Sequence, residues 1–248
     1  MEILINDKLD PEELARDYKK KNRIQILDIL HPESAEQIYK CLTQETPWGL
    51  TYMEGDEVVQ LSQEALLKLT DQQKMEIFNR VHDQAKTKYQ FLYNYYPMLE
   101  AYLTGRDPGL YLHKIFEFLN AAPFQDFVKT VTGLPDIAKA DAHATLYTKG
   151  HFLKYHTDEK PGDGRRAAYV LNFTKGWGRD WGGYLQFFDK NYNVDEALRP
   201  VFNALNMFTV PLDHSVNYIP GFCGGNRFSV TGWLRTLEDG PTQTPDAG

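Results

Sequence analysis

Cysteine is scarce in this 248-residue chain: Cys41 and Cys223 are the two. Two thiols make no disulfide framework, and a reducing compartment fits them, so a cytoplasmic protein is expected. A surplus of positive charge is missing as well. The formal net charge is −7 and the pI is near 5.5, which argues against a surface built for nucleic-acid phosphates. No stretch approaches the ~20 apolar residues that span a bilayer. The opening Met1-Glu2-Ile3-Leu4-Ile5-Asn6 lacks the basic-then-apolar order of a signal peptide. Neither nucleic acid nor membrane is therefore an expected partner. Repeats, linkers and low-complexity segments are absent up to Asp239-Gly240-Pro241, where a polar tail begins.

What the chain has is apolar and aromatic material, 42% and 13% of its residues, enough for a sizeable core. Asp10-Pro11-Glu12-Glu13 predicts a helix over 8–22, and Ile24 to Leu30 reads as a strand. A helix is expected from Pro32 to about Thr43. Residues 48–52 and 58–61 suit a hairpin around Gly55-Asp56. Thr70-Asp71-Gln72-Gln73 has the capping-box pattern, and the apolar spacing behind it predicts a helix running towards Tyr96, where Pro97 stops it. In such a helix Tyr89, Tyr93 and Tyr96 would form one stripe, packed on the rest of the fold or lining a groove. Further helices are expected over 110–120 and 123–132. From Asp141 the pattern changes to about eight short strands: 140–147, 151–156, 166–174, 183–188, 194–202, 205–210, 213–218 and 226–236. Short strands at this spacing predict a barrel or jelly roll. In the fourth of them Tyr184, Gln186 and Phe188 share one face and Leu185 and Phe187 the other.

Within that region stands His156-Thr157-Asp158, with His214 on a later strand. Alternation along a strand points residues i and i+2 the same way, so His156 and Asp158 belong on one face. A strand delivering His214 opposite them would gather two imidazoles and a carboxylate around a metal, with positions left open. Non-haem Fe(II) suits that set, and zinc accepts the same ligand types.

The surroundings narrow this. Gly150-His151-Phe152-Leu153 leads in, and Gly162-Asp163-Gly164-Arg165-Arg166 follows. Then come Trp177, Trp181-Gly182-Gly183-Tyr184-Leu185-Gln186-Phe187-Phe188, Asn203-Ala204-Leu205-Asn206-Met207-Phe208, His214-Ser215-Val216 and Arg227-Phe228-Ser229-Val230-Thr231-Gly232-Trp233. In this order, over residues 100–236, the series resembles the 2-oxoglutarate- and Fe(II)-dependent oxygenases of the prolyl-hydroxylase type. It is most similar to the branch acting on ribosomal or translation-factor proteins.

The resemblance implies an α+β, mainly β fold: a double-stranded β-helix (jelly-roll) barrel with N-terminal supporting helices. It implies one catalytic domain over 1–238, in which 1–139 is mainly helical support, 140–238 is the barrel and 239–248 is the tail. His156, Asp158 and His214 match the family's Fe(II) ligands, with 2-oxoglutarate and O2 as co-substrates and ascorbate as an optional further cofactor. Oxidative decarboxylation of 2-oxoglutarate to succinate and CO2 would drive hydroxylation of an unactivated carbon. Arg227 matches the residue that grips the distal carboxylate, which a planar guanidinium does with two parallel hydrogen bonds. Ser229, two residues on, shares its side of the strand. Tyr147 falls where relatives hydrogen-bond the co-substrate. Asn172 stands where many prolyl hydroxylases carry a tyrosine, a departure in which an amide offers a shorter polar reach. His143 and His151 match nothing and read as packing or surface residues, and Trp233 as barrel packing. The glycine-rich segments 175–179 and 221–225 read as loops that order the substrate at the barrel mouth.

The preferred reading is a hydroxylase acting on a prolyl residue of a protein or peptide. The same chemistry on a free amino acid or other small molecule is the alternative. A non-oxygenase metal-binding barrel is a third reading, against which Arg227 and Ser229 argue, since a plain metal barrel needs no carboxylate clamp.

Overall fold

The computed structural model describes residues 2–160 and 162–237, so the polar tail at 239–248 lies outside the described residues. The Asp10 carboxylate accepts from the backbone N–H groups of Glu12 and Glu13 and starts helix α1 (Pro11–Lys21), which Asn22 ends in the left-handed conformation. Strand β1 (Arg23–Leu27) follows, then α2 (Pro32–Lys40), whose continuation over Cys41–Glu45 widens into a π-turn. The hairpin β2 (Gly49–Glu54) and β3 (Glu57–Leu61) turns at Gly55, φ +63°. The short helix α3 (Gln63–Lys68) is capped by Ser62, a signal the sequence reading passes over.

Helix α4 (Asp71–Gln84) opens with the capping box of Thr70 and Gln73 but does not reach Tyr96. Its C-terminal carbonyls are taken by the Lys154 ammonium, which donates to the carbonyls of Ala85 and Lys88. Gln90 then donates to the carbonyl of Met53 and draws the chain beside β2. Residues Phe91–Tyr96 form strand β4, because a run of aromatic residues favours a pleated surface over a helix. The stripe Tyr89, Tyr93, Tyr96 expected of a helix therefore does not exist. Tyr96 packs into the main core, while Tyr89, Phe91, Tyr93 and Tyr95 face the other way.

Helices α5 (Met98–Thr104), α6 (Leu112–Asn120) and α7 (Ala122–Thr132) come next, the last ended by Gly133 at φ +69°. The remaining strands are β5 (Lys139–Ala140), β6 (His143–Tyr147), β7 (Phe152–His156), β8 (Arg165–Asn172), β9 (Leu185–Phe188), β10 (Val194–Leu198), β11 (Ala204–Thr209), β12 (His214–Val216) and β13 (Arg227–Arg235).

The main path of the sheet runs β1-β11-β8-β13-β6-β4-β7-β12-β9-β10, antiparallel throughout. It curls until its two ends meet: Arg23 of β1 makes ion pairs with Asp195 and Glu196 of β10 and lies 4.8 Å over the Phe187 ring. This is the jelly-roll barrel, nearly closed. Alternation assigns its two faces. Tyr169, Leu171, Val230 and Leu234 face outward into one core with Leu119, Phe124 and Val128 of α6 and α7. Ala168, Val170, Leu185, Phe187 and Phe208 meet inside the barrel, so in β9 it is Leu185 and Phe187 that turn inward. Each such large side chain, fully buried, contributes roughly 1.5–3 kcal/mol.

Asn203 holds the corner between β1 and α2. It is buried at φ +57°; its Oδ1 accepts from the Leu30 N–H and its Nδ2 donates to the Leu30 carbonyl. Asn203→Ala leaves both backbone groups of Leu30 unpaired and puts a Cβ residue without local hydrogen bonding in the left-handed region. We predict a loss of about 2–4 kcal/mol in stability by urea unfolding; a loss below half a kcal/mol would show that water replaces the amide.

Candidate functional site

Strand β7 ends at His156 and β12 begins at His214, and the two residues are direct partners across the antiparallel pair. Asp158 follows two residues past the strand end. The ligand-capable atoms of His156, Asp158 and His214 all lie within 4.8 Å of one another. Each imidazole Nε2 sits 3.5 Å from an Asp158 carboxylate oxygen. Each Nδ1 is tied back to a main-chain carbonyl, His156 to Lys154 at 2.9 Å and His214 to Leu212 at 2.8 Å. A carbonyl can only accept, so Nδ1 carries the proton and Nε2 presents its lone pair inward, the tautomer a metal requires. Burial, with His156 beside it, pulls the His214 pKa down to about 4. At neutral pH the ring is therefore neutral, ready to ligate without first losing a proton. Burial pushes the Asp158 carboxyl up, but the two imidazoles outweigh it and hold the group below its usual range, hence ionised.

Two residues brace Asp158, Arg165 through its main-chain carbonyl and Trp233 beside its side chain. The Arg165 guanidinium donates to the Asp158 carbonyl at 3.1 Å and stacks 3.6 Å over the Trp233 ring. The Trp233 indole N–H has no hydrogen bond of its own, yet lies close enough to help hold Asp158 ionised. Trp233 is thus part of the site as well as of the packing.

The cluster opens on a cavity of about 580 Å³ whose wall also includes Arg227, Ser229 and Tyr147. Arg227 opens β13 directly across from Tyr147 of β6. Its guanidinium is 2% exposed, forms no ion pair among the described residues and leaves Nε without a partner; the Tyr147 ring lies 4.9 Å away. Burial lowers its pKa, and no carboxylate offsets that. A buried cation without a counter-ion is costly by several kcal/mol, so this end of the cavity is complete only with an anion. The Ser229 hydroxyl, fully buried, shares a 2.6 Å hydrogen bond with Thr145. Asn172 pairs with Ser229 across β8 and β13 and is fully buried, with neither amide atom hydrogen-bonded. It is not among the described residues of the cavity wall.

Two expectations change here, those for His143 and for the glycine-rich loops. His143 lines the cavity rather than serving only as packing, and burial holds it neutral with a pKa of about 4. Its position on the Tyr147 face of β6, four residues away, was the available sign. His151 is buried, as the packing reading expects, and accepts at Nδ1 from the Thr148 N–H, outside that wall. The glycine-rich loops lie behind Arg227 rather than at the mouth. Gly224 and Gly225 press on Trp181, Cys223 packs with Trp177, and a Cβ on Gly183 would touch the Arg227 side chain at 3.4 Å. None of the described residues 219–225 lines the cavity. Its open side is formed instead by Tyr89, Tyr95, Glu100 and the face of β2 and β3 carrying Thr51, Val58 and Gln60. These came from segments read as support, so the strand register alone reveals them.

Residues 142–235 match the family profile of the 2OG-Fe(II) oxygenase superfamily. The mouse protein named prolyl 3-hydroxylase OGFOD1 is 30% identical over 121 residues, which cover 45% of this chain and 22% of that relative. The chain thus spans about a fifth of the curated relative it matches. A prolyl-4-hydroxylase from Pseudomonas putida superposes with TM-score 0.54 at 17% identity, covering 91% of this chain and 98% of that one. A prolyl hydroxylase from Trichoplax adhaerens, solved with a hypoxia inducible factor peptide fragment, gives 0.59 at 14%, covering 91% and 90%. A 2OG-Fe(II) oxygenase family oxidoreductase from Burkholderia pseudomallei gives 0.60 at 8%, covering 98% and 100%. At these identities the structures speak for the fold.

The geometry generates a direct test. His156→Ala or His214→Ala removes one of three protein ligands and opens that position to water. Each variant should retain less than about a tenth of the bound Fe(II) of the parent after anaerobic loading and desalting, by the order expected for loss of a first ligand. Retention near the parent level in either variant would remove that histidine from the cluster.

Proposed function

We propose, with residues 142–235 a domain of the 2OG-Fe(II) oxygenase superfamily, that this chain is a 2-oxoglutarate- and Fe(II)-dependent dioxygenase that hydroxylates a prolyl residue of a protein or peptide. One observation carries the reading: a buried arginine with no counter-ion among the described residues shares a cavity with a cluster of two imidazoles and one carboxylate. A metal barrel of another kind would satisfy the cluster and leave Arg227 stranded.

The donor set fits Fe(II), with His156 Nε2, His214 Nε2 and an Asp158 oxygen as ligands and the remaining positions open. With iron held there, dioxygen would supply the oxidising power, one oxygen atom passing into succinate as 2-oxoglutarate gives up CO2 and two electrons, the other into the substrate C–H bond. The protein supplies placement. Arg227 neutralises and orients the distal carboxylate of the co-substrate through two parallel hydrogen bonds, and Ser229 adds a hydroxyl donor beside it. Tyr147, pushed up in pKa by burial, stays a protonated phenol against Arg227 and donates to the same ligand. Asn172, buried and unpaired, is the reserve of hydrogen bonds nearest Ser229. Val170, Leu185 and Phe208 keep the inner wall apolar, which excludes water from the reacting carbon.

The prolyl assignment rests on the activities for which the mouse, Pseudomonas and Trichoplax proteins are named, together with the shared barrel. We take residues 1–238 as one catalytic domain, on one core cluster that joins residues from Ile3 to Leu234. The cytoplasm is our choice of compartment, on two unpaired buried cysteines. Iron-loaded protein should convert 2-oxoglutarate to succinate, and mass spectrometry of a cell lysate incubated with it should find proline with one added oxygen.

The clamp is tested separately. Arg227→Lys keeps the charge and loses the two-point contact, so the dissociation constant for 2-oxoglutarate should rise more than tenfold, ~1.4 kcal/mol. Equilibrium dialysis without oxygen measures it, and bound iron should remain at the parent level. An unchanged constant would remove Arg227 from co-substrate binding.

A further inference from the structure

We propose that Tyr89, just ahead of β4, and Tyr95, near the end of that strand, select an extended polypeptide over a free amino acid as the substrate from the two ends of an aromatic row. The inference rests on the oxygenase reading above and names what that site would accept. Tyr89, Phe91, Tyr93 and Tyr95 alternate along the chain and all line the cavity. Their rings touch in sequence, Tyr89 to Phe91 at 6.1 Å and Phe91 to Tyr93 at 5.5 Å, and Tyr93 stacks on Tyr147 at 4.9 Å.

The hydroxyls make the row unusual. A buried tyrosine ordinarily finds a hydrogen-bond partner, and elsewhere in this fold it does: Tyr18 with Thr209, Tyr96 with Asp107, Tyr169 with the carbonyl of Asp141. Among the described residues Tyr93 and Tyr95, and Tyr89, which is 41% exposed, have no protein partner. Burial pushes all three pKa values up, that of Tyr95 to about 12, so each is a neutral O–H donor at physiological pH. Neutral donors with no protein acceptor suit backbone carbonyls, and the ring faces between them suit apolar side chains, the pyrrolidine ring included.

Spacing selects the conformation. Alternate residues of a strand repeat every ~6.8 Å, the same repeat at which an extended peptide presents every second residue to one side. From Phe91 to Tyr95 the strand part of the row covers roughly 14 Å, and Tyr89 lies just before it. The Tyr89 ring lies 5.6 Å from that of the metal-cluster residue His156, while Tyr95 stands at the far end, towards Glu100. Beside Tyr95 and Tyr93 the same face continues onto the hairpin, where Val58 is 55% exposed, so the row leads out to solvent. A free amino acid held at the metal spans only a small part of it. A polypeptide continuing in both directions from the reacting residue meets both ends.

The test uses the full chain loaded with Fe(II) and 2-oxoglutarate. The probes are free L-proline and three peptide mixtures of three, seven and eleven residues, each with a central proline and degenerate elsewhere. Hydroxyproline released on hydrolysis gives kcat/KM. The expected result is a rise of about tenfold or more from three to eleven residues. Tyr89→Phe and Tyr95→Phe keep the ring and the packing and remove one donor each. Either variant should shrink that length advantage about fivefold, the factor one neutral hydrogen bond supplies. Equal turnover of the shortest and longest mixtures, or preference for free proline, would overturn the proposal. So would a length advantage intact in both variants, which would leave the hydroxyls holding water only. Succinate formed with every peptide mixture left unhydroxylated would also overturn it, while sparing the oxygenase reading. No succinate under any condition would remove that reading, and this inference with it.

Discussion

The pairing of β12 against β7 is the constraint on which the site depends. His214 faces His156 only in the observed register, and each Nδ1 finds its carbonyl only when the strand ends where it does. Side chains alternate faces along a strand, so a slip of one residue would turn His214 out of the cluster altogether. The register is fixed from outside the site. Val216 stands opposite Leu153 on one side and Leu185 on the other, and the Arg23 ion pairs draw together the two free ends of the sheet path. The same closure turns Phe187 and Phe208 inward, where their rings come within 6.5 Å and 4.6 Å of His214. The barrel therefore builds its dry wall and its polar cluster in one step.

Charge distribution then separates structure from function. Arg23, Arg165 and Arg235 are each matched with acids, respectively Asp195 and Glu196, Asp163, and Asp141. Arg227 is 2% exposed, has the Tyr147 ring 4.9 Å away and forms no ion pair among the described residues. The protein meets that cost because the missing partner arrives as a ligand, so what would be a defect in a structural barrel becomes a binding determinant. The unpaired amide of Asn172 follows the same logic with a dipole in place of charge.

The local elements were legible to differing degrees. The capping box at Thr70 marked the start of α4 correctly, since an N-cap is a matter of four neighbouring residues. The end of that helix was not legible. Lys154 and Gln90 set it by contacts with distant strands, and nothing between Ala85 and Tyr96 announces them. That one shift turned three tyrosines from a helical stripe into a strand face and gave the cavity its aromatic side. The two glycine-rich loops failed for a similar reason: glycine reports permitted backbone conformations, and only the packing of Trp177 and Trp181 decides which end of the barrel they close.

By itself the sequence determined what depends on residue type and short-range order. It specified a helical start, short alternating strands from Asp141, the candidate ligands His156, Asp158 and His214, and a strand offering Arg227 and Ser229 together on one side. Period-two alternation carries that information along a single strand. Tertiary structure decided everything that requires two strands at once. It set the tautomer of each imidazole, left Arg227 without a counter-ion, made His143 part of the cavity, and chose β4 with the β2–β3 hairpin over the glycine loops as its open side. The physical reason is that burial and hydrogen-bond partnership are properties of neighbours, and in a barrel whose pairs join residue 23 to 208 and 145 to 229 those neighbours lie far away in the chain.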